Sequence, residues 1–135
     1  MFSKPGDISH RVLVADDDPV IRRLISGIIE REGYTVVIAG DGREAYRILQ
    51  NDADFCGAIF DMMMPNLNGL EVIRYMRTEK RLMRIPVMMV TSEQDLKFTA
   101  DSFAAGATVF LPKPFTAAQF QLSFKMLVAK RRVAA

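Results

Sequence analysis

The sequence predicts an α/β fold: one domain built on a doubly wound parallel sheet of five strands alternating with five helices. Five short apolar or β-branched runs recur along the chain, and each is followed by a polar turn and then a segment with helical apolar spacing. The connections are short, so the strands must run parallel with helices on both faces of the sheet. The chain has 135 residues, half of them hydrophobic, enough for one core and too few for a second domain.

Residues 1–10 carry Pro5 and Gly6 with few apolar residues and read as a lead-in; the domain is expected over residues 11–130, with a tail at 131–135. Val12-Leu13-Val14-Ala15 is the first strand, ending on Asp16-Asp17-Asp18-Pro19. Asp18 before Pro19 reads as an N-cap with proline in the first turn, rather than as a metal ligand. Ile21, Leu24, Ile25, Ile28 and Ile29 form the buried stripe of the first helix, and Gly33 stops it.

Thr35-Val36-Val37-Ile38 is the second strand, and Asp41 with Glu44 caps a helix through Ala45, Ile48 and Leu49. The third strand, Gly57-Ala58-Ile59-Phe60, ends on Asp61 and a Pro65-Asn66-Leu67-Asn68-Gly69 turn. Asn68 and Glu71 open the third helix, with Leu70, Ile73 and Met76 inward. Val87-Met88-Met89-Val90 is the fourth strand, ending on Thr91-Ser92; Ser92 and Asp95 cap the fourth helix, which Gly106 closes. Thr108-Val109-Phe110-Leu111 is the fifth strand, ending on Lys113-Pro114-Phe115. Thr116 with Gln119 caps a last helix to about Lys130. Right-handed crossovers then favour the flavodoxin-like strand order 2-1-3-4-5.

The net charge of +2, from 18 basic and 16 acidic residues, demands neither nucleic acid nor a membrane surface as partner. The basic cluster Lys130-Arg131-Arg132 reads as a solvated helix end. Cys56 is the only cysteine, which rules out an internal disulfide, and its apolar setting predicts burial. No run approaches membrane-spanning length and no leader is recognised, so a soluble, cytoplasmic protein is expected. His10 precedes the first strand and is given no chemical role.

Alone, Asp61 reads equally well as a turn former. The strand ends change that balance: Asp16 and Asp17, Asp61, Thr91 and Lys113 all fall on one edge of the sheet, where open α/β sheets build their sites. Two carboxylates ~5 Å apart at an effective dielectric of ~20 repel by roughly 3 kcal/mol, and one lysine cannot neutralise three. A hard divalent cation would, and Mg²⁺ beside carboxylates suits a site that receives phosphate. Lys113, the Thr91 hydroxyl and the cation then form an electrostatic clamp for phosphoryl transfer, leaving Asp61 as nucleophile.

Val14-Ala15-Asp16-Asp17-Asp18-Pro19, Asp61-Met62-Met63-Met64-Pro65 with Gly69, Val90-Thr91-Ser92 and Lys113-Pro114-Phe115 together resemble the receiver domain of two-component response regulators, from about Arg11 to about Lys130. The resemblance implies a phosphoryl group passed to Asp61 from a sensor histidine kinase or phosphotransfer protein. It implies Asp17 as direct Mg²⁺ ligand, Asp16 acting largely through water, and the backbone carbonyl of Met63 as a further ligand. It also implies a cis Lys113-Pro114 bond and a switch in which Thr91 bonds the phosphoryl group and Phe110 turns into the vacated space. Phe110 stands where tyrosine is often found, and Glu93 and Met63 occupy positions that tune dephosphorylation in similar proteins.

An aspartyl-phosphate phosphohydrolase of the haloacid dehalogenase type is the enzymatic alternative, but it wants an acid two residues after the nucleophile, where this chain has Met63. A binding module that keeps the fold without phosphorylation predicts a defective acid cluster. The chain ends with the fifth helix, so output is expected through protein contact or onward phosphotransfer, as in single-domain chemotaxis or phosphorelay regulators, without direct DNA binding. Phe120, Leu122, Phe124, Met126 and Leu127 cover more than one stripe of the last helix, so exposed apolar residues of that helix are expected to form part of a partner face.

Overall fold

The computed structural model describes residues 9–92 and 96–134. Residues 1–8, 93–95 and 135 lie outside the described residues, and with them the N-terminal lead-in apart from Ser9 and His10, the Asp95 half of the fourth cap and the position of Glu93.

The elements run β1 (Arg11–Ala15), α1 (Pro19–Arg31), β2 (Thr35–Ala39), α2 (Gly42–Asn51), β3 (Gly57–Asp61), α3 (Gly69–Thr78), β4 (Val87–Thr91), α4 (Leu96–Ala105), β5 (Val109–Pro112) and α5 (Ala117–Ala134). The five strands are all parallel in the order β2-β1-β3-β4-β5, as expected. α5 continues to Ala134, past the expected end near Lys130. No helix among the described residues is long and apolar enough to cross a membrane.

Strand pleating divides the core in two. Leu13, Ala15, Ala58, Phe60, Val87 and Met89 point to one face and pack with Ala45 and Leu49 of α2 and Leu70, Ile73 and Met76 of α3. Val12, Val14, Ile59, Met88 and Val90 point to the other and meet Ile25, Ile28 and Ile29 of α1 and Phe120, Phe124 and Leu127 of α5. Cys56 is buried in this second layer. The central strands β3 and β4 are buried along their whole length, which explains why they read as unbroken apolar runs.

The caps form as the residue types dictate. Asp18 accepts from the Val20 N–H, Asp41 from Glu44 and Asn68 from Glu71, each at 2.9 Å. Thr116 and Gln119 bond reciprocally at 3.1 and 2.8 Å.

One expected stripe is corrected. Leu24 is 41% exposed, because the α1 face that meets the sheet is centred on Ile25, Ile28 and Ile29. In α5, Phe120, Phe124 and Leu127 are fully buried core while Leu122 and Met126 are exposed, so the apolar residues cover more than one stripe as expected. Leu122 and Met126 lie one turn apart on the side away from the sheet.

A structural device with no sequence signature joins α3 to the end of α4. The Arg77 guanidinium donates to the carbonyls of Met83 and Ile85, both at 2.9 Å, and of Gly106 at 2.7 Å. Burial pulls its pKa down from the usual arginine value. Gly106 has φ +114°, and a Cβ there would sit 2.5 Å from Arg77 Nε, so glycine meets both a conformational and a spatial demand. Arg77→Ala is expected to destabilise the protein by about 2 kcal/mol in urea denaturation, because three carbonyls lose a charged donor at once. Arg77→Lys, which lacks the planar fork, should recover less than half of that.

Candidate functional site

The C-terminal ends of β1, β3, β4 and β5 bring the predicted residues to one edge. Asp16 follows β1 directly, Asp61 ends β3, Thr91 ends β4 and Lys113 follows β5. Asp16 and Asp61 are nearly inaccessible, at 2% and 7% exposure, whereas Asp17 is exposed. One carboxylate oxygen from each of Asp16, Asp17 and Asp61 lies within 4.8 Å of the others.

Lys113 bridges the two buried acids. Its Nζ lies 3.0 Å from Asp16 Oδ2 and 3.3 Å from Asp61 Oδ2. The remaining Asp16 oxygen accepts the Asp18 N–H at 2.9 Å, and the Asp16 carbonyl accepts from Arg22 at 2.9 Å, which ties the acidic turn to α1. The other Asp61 oxygen accepts the Met63 N–H at 3.1 Å.

These contacts set opposing charge preferences. Burial raises the Asp61 pKa, the neighbouring Asp16 charge raises it further, and the Met63 N–H and Lys113 only partly offset them. Burial alone would lower the Lys113 pKa, but the bonds and charges of Asp16 and Asp61 outweigh it, so the ammonium is held more firmly than usual. The lysine is thus committed to the acids, and the acids remain under-neutralised. Three hard oxygen donors, one of them solvent-facing, around excess negative charge fit a divalent cation such as Mg²⁺.

The other predicted positions fall around this cluster. Thr91 is fully buried, one residue beyond Val90, the register partner of Asp61, and its carbonyl accepts the Lys113 N–H at 2.8 Å. By strand alternation Thr91 shares a sheet face with Phe110, whose register partner is Met89. Phe110 is half-buried, with its ring 6.4 Å from that of Phe103 on α4. Met63 is 55% exposed beside the acids, and its backbone is drawn to Asp61 by the N–H bond. The Lys113-Pro114 bond is cis. His10 packs its ring 5.6 Å from Tyr34 just before β1, at the opposite edge of the sheet.

Sequence reasoning missed two contributors. Asn66, in the loop that follows Asp61, donates to the α2 cap Asp41 at 2.9 Å. Its signal was the Asn-rich turn, read only as a connection. Arg22 lies outside the apolar stripe of α1, and nothing local in the sequence marks its bond to the Asp16 carbonyl.

Comparisons with known proteins agree with this geometry. The family model for the response regulator receiver domain matches residues 12–125. Among curated relatives, the response regulator MprA of Mycobacterium ulcerans is 32% identical over 126 residues, which covers 93% of this chain and 53% of the relative. The transcriptional regulatory protein SrrA of Staphylococcus aureus is 29% identical, over 91% of this chain and 49% of its own length. The chain therefore spans about half the length of the curated relatives it matches. The chemotaxis response regulator CheY4 of Vibrio cholerae superposes with a TM-score of 0.81 at 30% identity, covering 90% of this chain and 99% of that one. A CheY-like receiver domain protein of Methanospirillum hungatei superposes with a TM-score of 0.85 at 26% identity, covering 96% and 100%. With the family model spanning most of the chain and the acid cluster at the expected sheet edge, this chain belongs to the response regulator receiver domain family.

Proposed function

We propose that this chain is a cytoplasmic phosphorylation switch in which Asp61 takes a phosphoryl group from the phosphohistidine of a sensor histidine kinase or phosphotransfer protein. The observation that carries the reading is the acid cluster: Asp16, Asp17 and Asp61 converge within 4.8 Å, with Lys113 bridging the two buried acids.

In this reading an Asp61 carboxylate oxygen attacks phosphorus, forming an Asp61 O–P bond as the donor's P–N bond breaks. Bound Mg²⁺, held by Asp16, Asp17, Asp61 and the Met63 carbonyl, would supply the positive charge that offsets the crowded carboxylates and the phosphoryl oxygens. Lys113 is already within 3.3 Å of the Asp61 carboxylate and needs only a small swing to reach a phosphoryl oxygen. The Thr91 hydroxyl donates to another of these oxygens. Phosphorylation brings roughly −1.5 to −2 charges; Thr91 moves toward them, and Phe110, on the same sheet face, follows into the space it leaves. The α4, β5 and α5 surface, with Phe103, Phe110, Leu122 and Met126, reads the change out to a downstream protein or passes the phosphoryl group on.

The phosphohydrolase alternative lacks its second acid, since Met63 occupies that position. With Mg²⁺ and acetyl phosphate, intact-mass spectrometry should find one labile phosphoryl adduct, absent in Asp61→Asn and strongly reduced by EDTA. An adduct that survives Asp61→Asn, or none at all in the parent chain, would overturn the proposal.

A further inference from the structure

We propose that Asp41 and Asn66 are positioning residues for the phosphoacceptor site: they clamp the tip of the β3–α3 loop onto the N-terminus of α2 and thereby fix the backbone of residue 63 beside Asp61. The inference rests on reading Asp61 as the phosphoacceptor.

The loop, residues 62–68, is tied at its base and at its tip. At the base, the Gly69 N–H donates to the Met62 carbonyl at 3.2 Å, and a Cβ on Gly69 would lie 2.6 Å from the Asp61 carbonyl oxygen, so the returning chain presses against the strand end. At the tip, the Leu67 N–H donates to the Pro65 carbonyl at 2.8 Å, closing a tight turn around Asn66. Asn66 has φ +71°, the one positive φ outside glycine among the described residues. Asparagine tolerates that conformation better than most L residues, and here it aims the amide away from the loop. Asn66 Nδ2 reaches Asp41 Oδ2 at 2.9 Å, across 25 positions of sequence.

Asp41 serves both partners through different oxygens. Oδ1 caps α2 through the Glu44 N–H at 2.9 Å, and Glu44 returns Oε2 to the Gly40 N–H at 3.3 Å. These two bonds, that of Glu44 and then that of Asn66, hold the Asp41 carboxyl below its ordinary range, so an ionised acceptor strengthens both. A helix cap needs one acceptor; the second oxygen is spent on the loop. Beside it, Gly42 has no space for a Cβ because the Leu67 carbonyl fills that volume. Met63 lies between base and tip, and its N–H bonds Asp61 Oδ1 at 3.1 Å. A loop fixed at both ends presents that backbone without having to be ordered when the site is used.

Two variants separate the clamp from the cap and from the backbone conformation. Asp41→Ser keeps an N-cap acceptor but is too short for Asn66. Asn66→Gly keeps the positive φ and removes the donor. Amide hydrogen exchange of the metal-free protein, followed by calorimetric titration with Mg²⁺, should show Met63 protection and Mg²⁺ affinity each lowered about tenfold in either variant, with β1 and β4 amides unchanged. The double variant should lose no more than the worse single one, because both delete the same bond. Met63 protection equal to that of the parent chain in both variants, or losses that add in the double variant, would overturn the inference. A parent chain that binds no Mg²⁺ would instead count against the phosphoacceptor reading, and Met63 exchange would still decide whether the clamp positions the loop.

Discussion

Lys113→Ala is expected to cost the metal-free protein about 3 kcal/mol at pH 7, the usual consequence of removing one partner from a buried ion pair. The lysine joins Asp16 and Asp61 at 3.0 and 3.3 Å, and both acids are more than 90% buried, so its loss leaves two desolvated carboxylates facing each other. The pH dependence has a definite sign. Lys113 has a raised pKa in the folded state, so its contribution is complete below the unfolded lysine value of about 10.4 and unaffected near neutrality. Asp61 also has a raised pKa, so between the ordinary carboxylate value of about 4 and its own folded value the native state binds the extra proton. Stability therefore falls as pH rises through that window. Without Lys113 the fall becomes steeper and extends higher, because the lysine's downward pull on Asp61 is gone. Asp61→Asn in the Lys113→Ala background should recover most of the loss, and millimolar Mg²⁺ should narrow the gap in the single variant. Urea denaturation in EDTA from pH 5 to 8 makes the measurement; a Lys113→Ala protein as stable as the parent chain throughout would show that the pair carries no net stabilisation.

Gly42→Ala sets helix propensity against packing. Alanine in place of glycine ordinarily favours a helix by about 1 kcal/mol. At Gly42 the added methyl falls onto the Leu67 carbonyl oxygen, a backbone atom in a loop held at both ends. Overpacking of this kind typically costs 1–3 kcal/mol, and the rigid neighbour points to about 3, or a drop in Tm on the order of 10 °C for a chain of this length. Thermal denaturation decides between the two: a Tm equal to or above that of the parent chain would mean that the loop yields and propensity wins.

What could be read from the sequence divides along a physical line. Caps such as Asp41 with Glu44, and Thr116 with Gln119, were legible because donor and acceptor lie within one turn. The acid cluster was legible because a parallel sheet sends every strand end to one edge, so adjacency followed from topology without any side-chain detail. Leu122 and Phe124 were not distinguishable on apolar character; which side of a helix meets the sheet is settled by the sheet, and only Phe124 does. The partners of Arg77 and Asn66 were illegible for another reason. Those partners, Gly106 and Asp41, lie 29 and 25 positions away, and an arginine seeking a backbone carbonyl leaves no mark on the sequence around it.

The three-carbonyl grip of Arg77 gives α4 one fixed end. Gly106 lies immediately beyond the C-terminus of that helix, so any reorientation of α4 that keeps the 2.7 Å bond is a swing about Gly106. A helix of 10 residues is a lever of about 15 Å, and tilting it by roughly 10° displaces the far end by about 2.5 Å while the near end stays in place. That far end is the one reached from Thr91. In the proposed switch, a shift transmitted from Thr91 would therefore show most in the first turns of α4, where Phe98 packs on the core, and least at its last turn beside Gly106.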